Sequence, residues 1–199
     1  MGLVFFLSFK HGVFLFLIYL LILFLFRKNP KHLFKEITSS KGFIFSPVFG
    51  KLVRIRKKVS HRVFGENLIE LQFQIPFASE MGLYLPTKCE ITDLILKSGT
   101  VISRFGSIPG QEDKALDVPL LKIKNQKNEI IGMQFVECVY GFYPQFYVLP
   151  GDRGMSLANF GYFPFGGTVL LYLPGNYEIL VKEKTSVSPR DVLIAILKV

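Results

Sequence analysis

The N-terminal part of the chain is an almost unbroken apolar stretch. Residues 12–26 carry no charge, and only Lys10 and His11 interrupt the apolar residues that precede them. About 20 apolar residues are enough to cross a bilayer as a helix, and a lysine near one end can extend its amine to the interface. No small-residue cleavage site of the kind found in signal peptides follows. The pattern predicts one N-terminal transmembrane helix, an uncleaved anchor over residues 3–26.

After residue 42 the hydrophobic pattern changes to a period of two. In residues 67–75, Ile69, Leu71, Phe73 and Ile75 lie on one face and polar residues on the other, which is typical of a half-buried strand. Short apolar runs separated by Gly, Pro, Asn and Asp continue to the C-terminus, which predicts an all-β or β-rich barrel or sandwich domain over residues 42–199. The other predicted strands are 53–55, 90–96, 120–124, 129–139, 145–149, 168–173, 177–182 and 192–198.

Positive charge is concentrated beside the predicted anchor. The formal net charge is +9, and residues 1–41 contain six Lys or Arg residues and one acidic residue. Residues 27–41 are therefore predicted to be a basic juxtamembrane linker, which favours a single-pass protein with its domain facing the cytoplasm. Basic residues next to an apolar helix indicate anionic membrane phospholipid as the partner and not nucleic acid, for which no motif is present.

The two cysteines indicate neither a disulfide framework nor a metal site. Cys89 and Cys138 are far apart and fit no metal-ligand spacing. Each lies in an apolar run, where a cysteine is usually a small buried hydrophobe. No metal is expected, and a reducing compartment fits best.

Residues 161–174 read G-Y-F-P-F-G-G-T-V-L-L-Y-L-P. This segment resembles the self-cleavage segment of the small, pyruvoyl-type phosphatidylserine decarboxylases. Weaker similarities precede it in the family's order over residues 45–51, 76–101, and 113–115 with 125 and 128–129, and a further similarity follows it over residues 181–195. The resemblance covers residues 42–197 and implies a barrel-like β fold and a role in phospholipid metabolism, within a family of lyases.

The family's chemistry depends on three side chains. An aspartate and a histidine activate a serine, which attacks the preceding carbonyl and becomes a self-generated pyruvoyl cofactor. The corresponding positions here hold Phe49, Met81 or the neighbouring Gly82, and Gly167. The resemblance therefore implies a pseudoenzyme without catalytic residues or cofactor, which has a lipid-binding or regulatory role. Its expected protein partner is an active decarboxylase or a second copy of this chain. His61, the only histidine after the anchor and linker, lies in a basic run interpreted as a solvated turn.

Two other functions are open. Cleavage shifted to Thr168 would leave a ketoacyl group and an active decarboxylase that converts phosphatidylserine to phosphatidylethanolamine. A plain structural β domain on a membrane tether is the other. A basic cluster is predicted either to contact lipid headgroups or to protect a sheet edge. It consists of Lys51, Arg54, Arg56, Lys57, Lys58 and Arg62.

Overall fold

The computed structural model describes residues 2–25, 42–77, 79–96, 118–138, 142–189 and 192–198. The N-terminal helix α1 spans Gly2–Leu25, and its side chains are described for residues 12–23. Among the parts of the chain described, no helix combines the length and hydropathy that a membrane crossing requires, which leaves the predicted anchor of residues 3–26 without support from the structure. The predicted linker of residues 27–41 lies outside the described residues.

Within the described residues α1 is followed by fourteen strands. The strands are β1 Phe43–Phe45, β2 Gly50–His61, β3 Gly65–Ile75, β4 Gly82–Tyr84, β5 Cys89–Ile95, β6 Leu120–Asn125, β7 Ile130–Cys138, β8 Gln145–Phe146, β9 Arg153–Gly154, β10 Asn159–Tyr162, β11 Gly167–Pro174, β12 Tyr177–Ile179, β13 Ser186–Val187 and β14 Leu193–Leu197. The predicted β-rich fold is thus confirmed.

The strands form one large antiparallel sheet and two small ones. The large sheet has eight strands in the order β13-β2-β3-β11-β7-β6-β5-β9, and the small sheets have the orders β1-β14-β12 and β4-β10-β8. Strand β11 lies near the middle, where Leu171 pairs with Leu71 of β3 on one side and Met133 of β7 on the other. The strands on either side of β11 are therefore brought together from distant parts of the chain.

All three sheets contribute to one hydrophobic core. Phe73, Phe135 and Leu171 of the large sheet are fully buried, as are Ile194 and Leu83 of the two small sheets. Burying a side chain of this size contributes about 1.5–3 kcal/mol. This shared core explains why short strands such as β4 and β14 are stable next to the large sheet.

The sequence prediction was wrong about the length of β2. The basic run that was interpreted as a solvated turn continues the strand to His61. Bulges after Leu52, Arg56 and Val59 interrupt its pairing with β3. They break the two-residue period from which strands are predicted, because a bulge inserts an extra residue on one strand. Strands β1, β4, β9, β10 and β13 were not predicted, since two to four residues are too few to show alternation.

A second, smaller cluster covers the other face of the large sheet and adjoins an ion pair between the buried Glu70 and Arg56, whose side chain is 37% exposed. The Arg56 guanidinium donates from Nε and Nη2 to the two carboxylate oxygens of Glu70, both at 2.7 Å. Glu70 is only 2% exposed. Tyr172 stands opposite Glu70 in β11, and its hydroxyl donates to Gln134 at 3.0 Å. Arg56 supplies the charge that compensates the buried carboxylate.

His61 belongs to this cluster. Its ring stacks on Phe64 with centroids 4.4 Å apart and lies 4.8 Å from the ring of Tyr172. Its Nδ1 accepts a hydrogen bond from the Val63 N–H at 3.2 Å, so the neutral ring carries its proton on Nε2. Nε2 is buried without an acceptor among the described residues. Burial lowers the pKa of His61, and the Glu70 carboxylate opposes this shift in part.

We expect Arg56→Met to destabilise the domain by about 3 kcal/mol, because it leaves the buried Glu70 carboxylate uncompensated. Urea unfolding followed by circular dichroism measures this loss. The control Arg54→Met removes an exposed cation from the same strand and should change stability by less than about 0.5 kcal/mol. The double variant Arg56→Met, Glu70→Leu should recover most of the loss. Equal effects of the two single variants would contradict the role assigned to the ion pair.

Stability should also depend on the protonation of His61. Its folded-state pKa lies below the ordinary value of 6.5, so the unfolded chain takes up the proton first as the pH falls. The free energy of unfolding should therefore decrease as the pH falls below about 6.5. His61→Phe keeps a stacking ring but cannot titrate, and it should flatten this part of the profile. If the free energy of unfolding of His61→Phe falls between about pH 7 and pH 5 as steeply as that of the unmodified protein, protonation of His61 is not the cause of the pH dependence.

Candidate functional site

The three positions matched to the family's catalytic residues lie around one turn of the fold. Gly167 begins β11 and pairs with Ile75, the last residue of β3. The turn after Ile75 contains Ser79, whose hydroxyl donates to the Pro76 carbonyl at 2.8 Å and to the Phe49 carbonyl at 3.3 Å. This turn therefore links Phe49 to the end of β3, which pairs with Gly167 of β11. Phe49 and Gly167 are more than 100 positions apart in the sequence.

Met81 contacts the segment that leads into Gly167. Its side chain is 3% exposed, and its Sδ accepts a hydrogen bond from the Phe165 N–H at 3.0 Å. The Met81 carbonyl also accepts from the Phe163 N–H at 2.8 Å. Met81 therefore holds the backbone two residues before Gly167. A thioether is only a weak acceptor and cannot serve as a general base.

Phe49 supplies a ring where the family has a carboxylate. Its ring meets that of Tyr84 edge to face, with centroids 5.8 Å apart and an interplanar angle of 74°. The Tyr84 hydroxyl in turn donates to the carboxylate of Glu80, the residue before Met81. The sequence offered no signal for this acid and phenol pair, because neither residue belongs to a recognisable motif.

The turn before β11 requires glycine at position 166. Gly166 has φ = 82°, and its N–H donates to the Phe163 carbonyl at 3.3 Å. A Cβ at this position would lie 2.3 Å from the Ile75 carbonyl oxygen. Gly167, which follows, has no side chain and cannot provide a nucleophile. Two consecutive glycines thus allow the chain to pass close to the end of β3.

Thr168 is the hydroxyl nearest in sequence to the cleavage position. It is 2% exposed and pairs with Gln74 of β3 and Glu137 of β7. His61 contacts Tyr172, which lies four residues further along β11, or about 13 Å at the rise of a strand. The structure therefore does not bring the histidine of this domain to Thr168.

The predicted basic cluster lies along β2. Lys51, Arg54 and Arg56 stand opposite Gln74, Gln72 and Glu70 of β3, on the face away from the main core. The bulge after Leu52 places Lys51 and Arg54 on the same face although they are three residues apart. Arg56 is held by Glu70. The exposed cations of the cluster are Lys51, Arg54, Lys57, Lys58 and Arg62.

Two further cations join this cluster and were missed in the sequence. The segment before β13 runs beside β2, where the Lys184 N–H donates to the Leu52 carbonyl at 2.6 Å. Lys182 and Lys184 are both exposed. Glu183 between them accepts a hydrogen bond from the Ile55 N–H at 2.8 Å. We call the seven exposed cations Lys51, Arg54, Lys57, Lys58, Arg62, Lys182 and Lys184 the basic surface.

Residues 125–129, part of the family resemblance, form a structural network. The Glu129 carboxylate accepts from the side chains of Asn125, Asn176 and Tyr177 at 2.7–2.8 Å. Burial by itself would raise the pKa of Glu129, but these hydrogen bonds outweigh it and lower the pKa. The network ties the β6–β7 turn to the start of β12, so it supports the fold.

Other candidate chemistry is absent from the described part of the chain. Cys89 is buried, which raises the pKa of its thiol to about 12 and makes it unreactive. Among the described residues, no three His, Cys, Asp or Glu side chains are grouped so that they could hold a metal ion.

Comparison of the chain with models of protein families, with curated proteins and with solved structures finds no match in any of the three.

Proposed function

We propose that this chain is a membrane-attached relative of the phosphatidylserine decarboxylases that does not form the pyruvoyl group. Its role in phospholipid metabolism is to bind anionic phospholipid or to regulate an active decarboxylase. The observation that carries the proposal is that Phe49, Met81 and Gly167 lie around the turn after β3. Positions so distant in the sequence would lie together if the chain has kept the family's strand arrangement.

The chemistry of these positions supports a loss of catalysis. Self-cleavage needs a hydroxyl nucleophile, a base to take its proton and a group to orient that base. Glycine, methionine and phenylalanine can do none of these. Thr168 has the hydroxyl, but it lies inside a strand that is paired on both sides. His61, the histidine of the domain, contacts Tyr172, about 13 Å along the strand from Thr168.

Attachment to a membrane, which does not require that α1 spans it, is supported by the exposed apolar side chains of α1 and by the distribution of charge. Residues 13–23 are large hydrophobic residues, and each is at least 37% exposed. An apolar surface of this extent marks a site of membrane or protein contact. The basic residues between α1 and the domain favour placing the domain on the cytoplasmic side.

Binding to anionic phospholipid is supported by the basic surface. Its seven exposed cations come from β2, the turn after it and the segment before β13. Each cation near an anionic bilayer contributes about 1 kcal/mol. This arrangement favours headgroup contact over simple protection of a sheet edge, because Lys182 and Lys184 lie outside the edge strand.

The purified full-length protein should consist of one chain of 22.7 kDa by intact mass spectrometry. It should also leave phosphatidylserine unchanged, since no pyruvoyl group is formed. Thr168→Val should give the same result apart from the mass of the substitution. Two chains, one of them blocked by a ketoacyl group, would refute the proposal, and their loss in Thr168→Val would establish cleavage at Thr168.

Removing charge from the basic surface should weaken binding to anionic vesicles. The triple variant Lys51→Gln, Arg54→Gln, Lys182→Gln is expected to bind phosphatidylserine-containing vesicles about 100-fold more weakly at low salt. Cosedimentation measures the binding, with neutral phosphatidylcholine vesicles as the baseline.

A control variant removes the same charge elsewhere. Lys88→Gln, Lys124→Gln, Lys127→Gln changes three exposed cations outside the basic surface. It should bind like the unmodified protein. If both triple variants lose affinity equally, net charge and not the basic surface governs binding.

A further inference from the structure

Three phenylalanine rings from separate segments meet beside Gly167. Phe77 follows β3, Phe142 precedes β8, and Phe165 precedes β11. The rings of Phe77 and Phe165 stack with centroids 5.5 Å apart and an interplanar angle of 13°. The ring of Phe142 lies 4.7 Å from that of Phe165 on a tilted plane. We call these three rings the aromatic cluster.

The outer rings of the aromatic cluster are open to solvent. Phe77 is 44% exposed and Phe142 is 47% exposed, while Phe165 between them is half-buried. A single exposed apolar side chain is common on protein surfaces. Phe77 and Phe142 each contact the half-buried ring of Phe165, so the three rings form a contiguous apolar patch, which marks an interaction surface.

The backbone conformation that positions the ring of Phe165 is strained. Phe165 has φ = 58°, in the left-handed region that a bulky residue rarely adopts. Two hydrogen bonds maintain this conformation, one from the Phe165 N–H to Met81 Sδ and one from the Gly166 N–H to the Phe163 carbonyl. Strain of this kind persists where the surrounding structure imposes it, often at functional surfaces. Here it presents the Phe165 ring between the other two.

The basic surface begins at the same end of the sheet as the aromatic cluster. Lys51 stands opposite Gln74, which is three residues before Phe77. Arg54 follows on the same face. Apolar rings with cations at the same end of the sheet match the two layers of an anionic bilayer, because the rings enter the apolar boundary while the cations remain at the headgroups. This combination of charge and apolar contact distinguishes a lipid surface from a purely apolar protein partner.

We propose that the aromatic cluster is the face with which the domain docks on the bilayer, with Phe77 and Phe142 entering the lipid and Lys51 and Arg54 at the headgroups. This inference rests on the proposed membrane attachment. It adds the orientation of the domain and limits headgroup contact to the cations near this end: the strand end at Gly167 faces the lipid, whereas Arg62 and the β6–β7 turn lie at the opposite end of the sheet.

The chain contains no tryptophan, so one introduced residue reports its own environment. In full-length Phe77→Trp, reconstituted in phosphatidylcholine and phosphatidylserine vesicles, lipids brominated on their acyl chains should quench the fluorescence at least about twofold. The matched control is Ile130→Trp. Ile130 is 38% exposed. It lies about 26 Å along β7 from Cys138, which pairs with Gly167, and is therefore at the opposite end of the sheet from Gly167. The tryptophan of this control should not be quenched.

A second substitution tests the cluster itself. Phe142→Ser in the Phe77→Trp background removes a neighbouring ring and should reduce the quenching, whereas Leu180→Ser, which removes an exposed apolar side chain outside the cluster, should not. Far-ultraviolet circular dichroism identifies any variant that fails to fold. If Phe142→Ser does not fold, Phe142→Leu is used in its place.

The outcomes separate this inference from the proposed attachment. A chain that fails to float with vesicles refutes both. If the chain floats but Phe77→Trp is not quenched, or if Phe77→Trp and Ile130→Trp are quenched equally, the docking face is wrong while attachment stands. A blue-shifted emission of Phe77→Trp that brominated lipid does not quench would indicate a protein partner on this face and would also overturn the inference.

Discussion

The pairing of β11 with β3 and β7 is the interaction on which the rest of the structure depends. Its eight residues form a ladder with β3 along their whole length, and most of them also pair with β7. Because the strand is buried on both faces, it supplies side chains to the main core and to the smaller outer cluster. The backbone groups of such a strand must be satisfied by its neighbours, and the hydrophobic side chains on its two faces determine the register of the central sheet.

The candidate site follows from how β11 begins. The chain turns sharply after Phe163, passes the end of β3 at Gly166 and enters the sheet at Gly167. Met81 and the turn at Ser79 hold this passage in place. The passage is lined by the Met81 thioether, the Phe165 ring and glycine. The same turn brings Phe77 and Phe165 together, so the exposed apolar rings and the close approach of Gly166 to β3 have one structural origin.

Arg56 and the cations of the basic surface lie along β2, the turn after it and the segment before β13, at the outer edge of the sheet. Of the basic residues in β2, Arg56 is used internally because burial of Glu70 requires a counter-charge. The neighbouring cations have no such role and remain exposed, and the segment before β13 adds two more. A bulge that interrupts regular pairing also aligns Lys51 with Arg54. Irregular pairing thereby produces a coherent basic surface.

The sequence by itself determined the β-rich class and the position of the long strands, because alternation in residues 67–75 and the buried run of β11 are local patterns. Residue identity alone also shows that Phe49, Met81 and Gly167 carry no side chain that can act as a nucleophile or a general base; that these positions correspond to a decarboxylase's catalytic residues stays a prediction. The short strands, the end of β2, the Arg56–Glu70 pair and the meeting of Lys184 with Leu52 were decided only by the tertiary structure. Each depends on contacts between residues far apart in the chain, and neither composition nor periodicity encodes which distant strand becomes a neighbour.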